Sequence, residues 1–277
     1  MTRHRVAKSL LCWLILSPLV VVILFPYAVM VFTAIKPRDE ILAYPPRWLP
    51  SRVDLANFVE MWDATGFGPA LVNSLYVSFA ATLLCLAVAI PAAYALSRFR
   101  FAGRGLYRQF LLVTQMLSPI VLVIGIFRLM AWLGLVDHLN ALVLTYGAFT
   151  VAFAVWMLQS YFATIPVELE EAAWIDGCSR LQALTRIFVP LAVPAVTVTA
   201  ILTFIFSWNE FVLALTLLRS DAQFTLPLKV FSLVGGRYSV EWDHVMAATF
   251  LATVPVAIVF AWLQRYLVQG LALGAVK

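Results

Sequence analysis

The sequence predicts an all-α membrane protein with six transmembrane helices. Three observations carry this. The residues AVILMFWYC make up 63% of the 277-residue chain and charged residues only 12%, against ~45–50% and ~25% in soluble domains. Six apolar runs occur, most of them as long as the ~20 residues a spanning helix needs. Basic residues crowd the ends of particular runs, as the positive-inside pattern requires. Six spans use roughly 120–150 residues, which leaves no room for a sizeable soluble domain. The chain reads as one domain, 1–277.

The first run extends from Ser9 to Ile35 without a charge, behind Arg3, His4, Arg5 and Lys8. It is too long for the ~7–15-residue apolar region of a signal peptide. It is read as an uncleaved first helix, kinked by Pro18 and Pro26. The second run is Ala70 to Leu96. The third is Phe110 to Leu133, interrupted by Gln115 and Ser118-Pro119, with Arg128 snorkelling near its far end. The fourth is Leu139 to Phe162. The fifth, Leu191 to Leu218, contains Asn209 and Glu210. The sixth is Val245 to Leu263.

Charge sets the orientation. Arg3, Arg5 and Lys8 precede the first span. Arg98, Arg100, Arg104 and Arg108 join the second to the third with no acid among them. Both groups belong in the cytoplasm. The first loop, Lys36 to Pro69, mixes both signs and suits the outside. Both termini, the segment 163–190 and a tail at 264–277 then lie inside. The acids of that segment (Glu168, Glu170, Glu171, Asp176) weigh little in the rule.

Several chemistries are excluded. The pI is about 9.3, but the basic residues flank apolar runs, which argues against nucleic acid. Cys12, Cys85 and Cys178 have no CxxC or metal spacing and read as reduced packing residues. His4, His138 and His244 are far apart and form no metal motif; the latter two read as loop residues. No GxxxxGK[ST] phosphate loop occurs. The chain is expected to bind no cofactor or metal and to have no ATPase site.

Segment 163–190 is the most informative stretch. Pro166 suits a first helical turn, with Glu168 near the positive end of the dipole. Leu169, Ala172, Ala173 and Asp176 share a face. Gly177 suits a left-handed C-terminal position. Ser179 with Gln182 reads as a capping box, and Leu181, Leu184 and Phe188 as the apolar stripe of a second short helix. Ala172 and Ala173 permit close approach by another backbone, while Glu171 and Asp176 offer charge to a partner. A helix–turn–helix that simply packs on the bundle is the alternative.

Glu171-Ala172-Ala173, then Asp176-Gly177, then Ile187 and Pro190, resembles the EAA loop of ABC-importer permeases. Tyr94 to Arg98, Trp208-Asn209-Glu210-Phe211 and the terminal Gly270 to Lys277 resemble its carbohydrate-uptake, MalG-like branch. The chain departs at Leu184, where an aromatic is common, and lacks the final glycine often seen after the lysine. The resemblance implies a type I importer permease fold with 163–190 as the ATPase-coupling loop. It implies a second permease in a heterodimer, two cytoplasmic ATPase subunits that bind ATP and Mg, and an extracytoplasmic binding protein. The substrate would be a sugar or sugar-like solute, and the location a bacterial inner membrane. The tail from Gly270 to Lys277 would insert extended among the ATPase subunits.

Other polar groups are assigned more openly. Asn209 and Glu210 lie ~28 Å along the helix from Pro190 at ~1.5 Å per residue, so they border the outer half of a pathway or merely reach interfacial water. Gln115 and Ser118 line the pathway or form a packed kink. Gly235, Gly236 and Arg237 form an outer loop that touches the binding protein or makes a plain turn. The aromatic excess reads as lipid-facing and interfacial and not as a sugar platform. A proton-coupled secondary transporter would need several buried acids or histidines, and Glu210 alone qualifies. A membrane enzyme would need catalytic clusters, and none is seen.

Overall fold

A computed structural model of the chain describes residues 2–235 and 240–274. It is helical, with no strand among the described residues. α1 (Thr2–Ala34) is followed by the short α2 (Arg38–Ile41) and α3 (Ala56–Thr65), then by α4 (Phe67–Arg98). Pro18 and Pro26 lie inside an α1 assigned as continuous. α5 (Arg104–Gln115) and α6 (Pro119–Trp132) meet at 99°. α7 (Leu139–Phe162) matches the fourth expected span residue for residue.

The third span is therefore broken and not merely kinked. Proline has no N–H, and it disfavours helical backbone in the residue before it. Ser118 is extended (φ −69°, ψ 135°), and Pro119 opens α6.

The next segment holds α8 (Val167–Ile175) and α9 (Arg180–Ala183). A π turn at Leu184–Phe188 leads to α10 (Val189–Leu191). α11 (Val193–Asn209) leaves the α9–α10 stretch at 81°. The fifth run is also interrupted. Glu210 is extended (φ −69°, ψ 129°), and α12 (Val212–Leu217) starts afresh. A 3₁₀ turn at Asp221–Gln223 and α13 (Leu226–Val234) follow, and α14 (Trp242–Gly274) ends the described chain.

α14 corrects the extended tail. The helix continues through Gly270 to Gly274, because Leu271, Ala272 and Leu273 are strong helix formers that outweigh one internal glycine at ~1 kcal/mol. Residues 275–277 lie outside the described residues.

Four helical stretches, Cys12–Ala34, α4, α7 and Trp242–Trp262, are long and apolar enough to cross a membrane. Counting each bent pair as one span brings the total to six. Every residue from Cys12 to Tyr27 is exposed in the single chain. So long an apolar surface needs lipid or a partner against it.

The chain forms two compact units, residues 1–67 with 230–254 and residues 68–229 with 255–277. In the first, Asn57 donates Nδ2–H bonds to the carbonyls of Ala34 and Lys36, both at 3.0 Å. Arg38 reaches Asp243 at 2.6 Å and Glu60 at 2.8 Å. His244, expected as a loop residue, is instead buried within α14 and lies 2.8 Å from Glu241. Its position two residues past the start of a helix was hidden by the polar stretch before it.

In the second unit α7 is the central element, burying Tyr146, Leu142, Leu158 and Phe162. Small residues on α4 (Ala81, Ala89, Ala93) are fully buried, which lets helices approach closely. At Gly147 a Cβ would come within 3.0 Å of Leu84 Cδ2. A side chain there would require Leu84 to shift by a few tenths of an ångström.

Candidate functional site

The loop between α7 and α11 is built as two short helices at a bend. Pro166 is the N-cap of α8, one place earlier than the first turn. Gly177 has φ +83°, the left-handed conformation that glycine adopts without steric cost. Ser179 and Gln182 complete the capping box: the Gln182 amide donates to Ser179 Oγ, and the Ser179 amide to Gln182 Oε1 at 2.8 Å.

The loop is held by a residue that the motif does not include. Glu170 is 1% exposed. It accepts a hydrogen bond from the Tyr94 hydroxyl and lies 3.3 Å from Arg98 Nε. Arg98 Nη2 also donates to the carbonyls of Phe162 and Ile165, at 3.2 and 2.5 Å. Its guanidinium sits 4.7 Å above the Phe188 ring. Tyr94, Phe162 and Phe188 pack edge-to-face around it. One turn of α4, Tyr94 to Arg98, thus fastens the end of α7, the start of α8 and the π turn after α9. The signal was present as the Tyr94–Arg98 segment, but its partner was not identifiable from spacing.

With Glu170 and Ala173 turned inward, the opposite face is free. Glu171, Ala172, Asp176 and Gly177 are exposed, while Ala173 is buried. Leu169 is exposed too, so the expected common face of Leu169, Ala172, Ala173 and Asp176 does not form. Ala183, Leu184 and Phe188 face the core, and Leu181 stands out at 70% exposure. Trp174 and Ile175 are also uncovered, Ile175 at 86%. An acidic and apolar knob of this kind is a surface awaiting a partner.

The remaining expected residues are scattered over the helix breaks. Gln115 closes α5, and Ser118 is the extended N-cap of α6 without a side-chain cap bond. Gln115 borders a recess of about 280 Å³ with Phe149, Thr150, Phe153, Thr203 and Phe206. Three aromatic rings beside an amide were not recognisable as neighbours from sequence.

Asn209 is exposed and bonds back to the Ile205 carbonyl at 2.8 Å. Glu210 faces inward. Its carboxylate accepts from the Leu213 and Ala214 amides at 3.0–3.3 Å and from the Tyr146 hydroxyl at 2.6 Å. It therefore satisfies two first-turn amides of α12 from the residue before the Phe211 N-cap. Gly235 has no left-handed φ, and a Cβ there would meet Phe231 at an ordinary 3.5 Å. Gly236 and Arg237 lie outside the described residues. Among the described residues no three His, Cys, Asp or Glu side chains converge as a metal site.

Among the described residues, apolar helices broken at polar residues stand beside an exposed two-helix loop. Residues 85–273 match the family described as "Binding-protein-dependent transport system inner membrane component", and the chain belongs to that family. It is 38% identical over 276 residues to a probable ABC transporter permease protein, y4oR, of Sinorhizobium fredii, covering 99% of this chain and 97% of that one. It is 35% identical over 277 residues to the trehalose/maltose transport system permease protein MalG of Thermococcus litoralis, covering 99% of each. A solved bacterial ABC transporter involved in import of the acidic polysaccharide alginate has a chain that matches with TM-score 0.80 and 25% identity, over 96% of this chain and 98% of that one. The fold is that of a type I importer permease. The chain is a multi-pass membrane protein and a transporter subunit, not an enzyme.

Proposed function

We propose that this permease passes a sugar or sugar-like solute, delivered by an extracytoplasmic binding protein, through a pathway shared with a second permease. Two ATPase subunits holding ATP and Mg drive the cycle from the cytoplasm, where both termini also lie. The observation that carries the reading is the division of labour between adjacent acids. Glu170 is spent on fixing the loop, so Glu171, Ala172, Asp176 and the Gly177 bend are left to meet the ATPase as a rigid knob. Sugar transport by relatives of similar length, MalG of Thermococcus litoralis among them, supports the substrate class.

The recess at Gln115 fits this use. Ligand sites combine apolar and aromatic walls with a few placed polar groups, as Gln115, Phe149, Phe153 and Phe206 do. Ser118, at the same break, and Asn209 border the same route. Gly235 to Arg237 would face the binding protein. Proton coupling is disfavoured, because Glu210 is occupied by two backbone amides and Tyr146.

The test is Ile175→Cys in the complete transporter, paired with cysteines in the ATPase subunits. Disulfide capture that depends on nucleotide, with ATP-driven sugar uptake in proteoliposomes, is expected. Sugar uptake that persists without ATPase subunits and follows a proton gradient would replace this reading with the secondary transporter.

A further inference from the structure

Around the loop's anchor lies a pocket of about 550 Å³. Its wall includes Arg98, Arg100, Arg104, Arg180, Glu170 and Trp174. Four guanidinium groups thus face one carboxylate, and that carboxylate is already engaged by Tyr94 and Arg98. Among the described residues no carboxylate lies within ion-pair distance of Arg100, Arg104 or Arg180. Arg180 lies instead over the Phe99 ring at 4.8 Å. The Nε of Arg104 is buried with no hydrogen-bond partner, and burial, then like-charge repulsion from Arg108 and Arg100, disfavour its charged form. Arg104 is also the first residue of α5. The N-cap there is Gly103, and the first turn holds no acid, so no side chain of the helix answers the positive end of its dipole.

We infer that this pocket binds a phosphate group. Guanidinium forks match phosphate oxygens two at a time, and a helix N-terminus adds backbone donors to the same anion. One phosphate would give Arg104 Nε its missing acceptor and relieve the repulsion among the arginines. The phosphate can belong to an anionic lipid headgroup or to a free phosphorylated solute. Tyr107, one turn beyond Arg104 on α5 and exposed, offers a surface on which an acyl chain can lie, and this favours the lipid. The site uses none of the residues assigned to solute passage.

The experiment uses the complete transporter with its partner permease and ATPase subunits, in wild-type form and as the double variant Arg100→Gln/Arg104→Gln. Arg98 is left intact because it anchors the loop. In the first arm, complexes from nanodiscs of mixed phosphatidylglycerol and phosphatidylcholine are analysed by native mass spectrometry. A headgroup site predicts phosphatidylglycerol retained by the wild type and about tenfold less by the variant, the scale for loss of charge-assisted hydrogen bonds. In the second arm, in phosphatidylcholine alone, inorganic phosphate is titrated against phenylglyoxal modification of Arg100 and Arg104, read by peptide mass. Protection there with no lipid preference assigns the site to a free phosphorylated solute. Equal lipid retention in both proteins without protection by phosphate overturns the inference. So does a variant that sheds ATPase subunits while both readouts stay unchanged, since the pocket would then be a protein interface.

Discussion

Glu170 and its neighbour Glu171 meet different surroundings: one is buried against Tyr94 and Arg98, the other stands in solvent. Successive residues on a helix are turned by about 100°, so a single α8 can present an anchor and a contact side by side. The two acids should therefore fail in different ways.

Glu170→Ala strands Arg98 in a buried site. Breaking one side of a buried pair costs ~3–5 kcal/mol. The variant should unfold at lower temperature and lose transport together with stability. Glu171→Ala removes only an exposed group, so its stability should stay within about 0.5 kcal/mol of wild type, while substrate-stimulated ATPase activity falls. Thermal unfolding and ATPase assays on the same preparations separate them. Equal melting temperatures for both variants would remove the anchoring role.

Gly177 tests the bend. Its φ is +83°, and a Cβ there would meet nothing within 4 Å. The penalty for a side chain is thus conformational and not a clash. Gly177→Val should cost roughly 1–2 kcal/mol and uncouple ATP hydrolysis from uptake. Gly177→Asn should behave close to wild type, because asparagine tolerates the left-handed region. If Val and Asn variants uncouple alike, crowding at a partner's surface governs this position and not the backbone.

The sequence was most legible where one physical signal dominates. α7 follows from an uninterrupted apolar run, and Gly177 with the Ser179–Gln182 box follows from local backbone chemistry. The breaks at Ser118 and Glu210 were harder. Hydropathy continues across them, so only the proline and the polar residues mark the place. The contacts among Tyr94, Arg98 and Glu170 join residues 72 to 76 positions apart, and no local pattern encodes such a pairing. The contacts of His244 are equally non-local: Arg38 and Glu60 lie more than 180 residues earlier.

Asp137 gives a pH-dependent prediction. It sits at φ +64° and accepts from the amides of Arg219 and Ser220 at 2.8 and 2.9 Å and from the Ser220 hydroxyl. The Ser220 hydroxyl and amide, then the Arg219 amide, hold its carboxyl below the ordinary carboxylate value. A depressed carboxylate contributes stability that is fully present above the unfolded pKa of ~3.9 and is lost as pH falls through the lower folded pKa. Asp137→Asn tolerates the backbone but keeps only one carbonyl acceptor, so it should be less stable by about 1–2 kcal/mol at pH 7. The gap between the two melting temperatures should be constant above about pH 5 and shrink below about pH 4. A gap that widens on acidification would contradict the assignment.

Asn209 and Glu210 were expected to act as a pair, and the geometry divides them. Glu210 is the C-cap of α11, and its carboxylate is held by the Leu213 and Ala214 amides of α12's first turn and by Tyr146. Glu210→Ala would leave those amides and a buried hydroxyl unpaired, at roughly 1–3 kcal/mol for a buried group. For a chain of this size ~1 kcal/mol corresponds to about 2–4 °C in melting temperature. Glu210→Gln retains one acceptor oxygen and should recover part of the loss, and Tyr146→Phe should lower stability less than Glu210→Ala. Asn209→Ala touches one exposed amide and should leave the melting temperature unchanged. If Asn209 borders the pathway, the same variant lowers uptake, and Asn209→Cys reacts with a membrane-impermeant thiol reagent at a rate that changes on binding ATP. Glu210→Cys should react slowly in every state. Rapid, nucleotide-dependent labelling at 210 with none at 209 would reverse the assignment, making the carboxylate the gate and the amide the bystander.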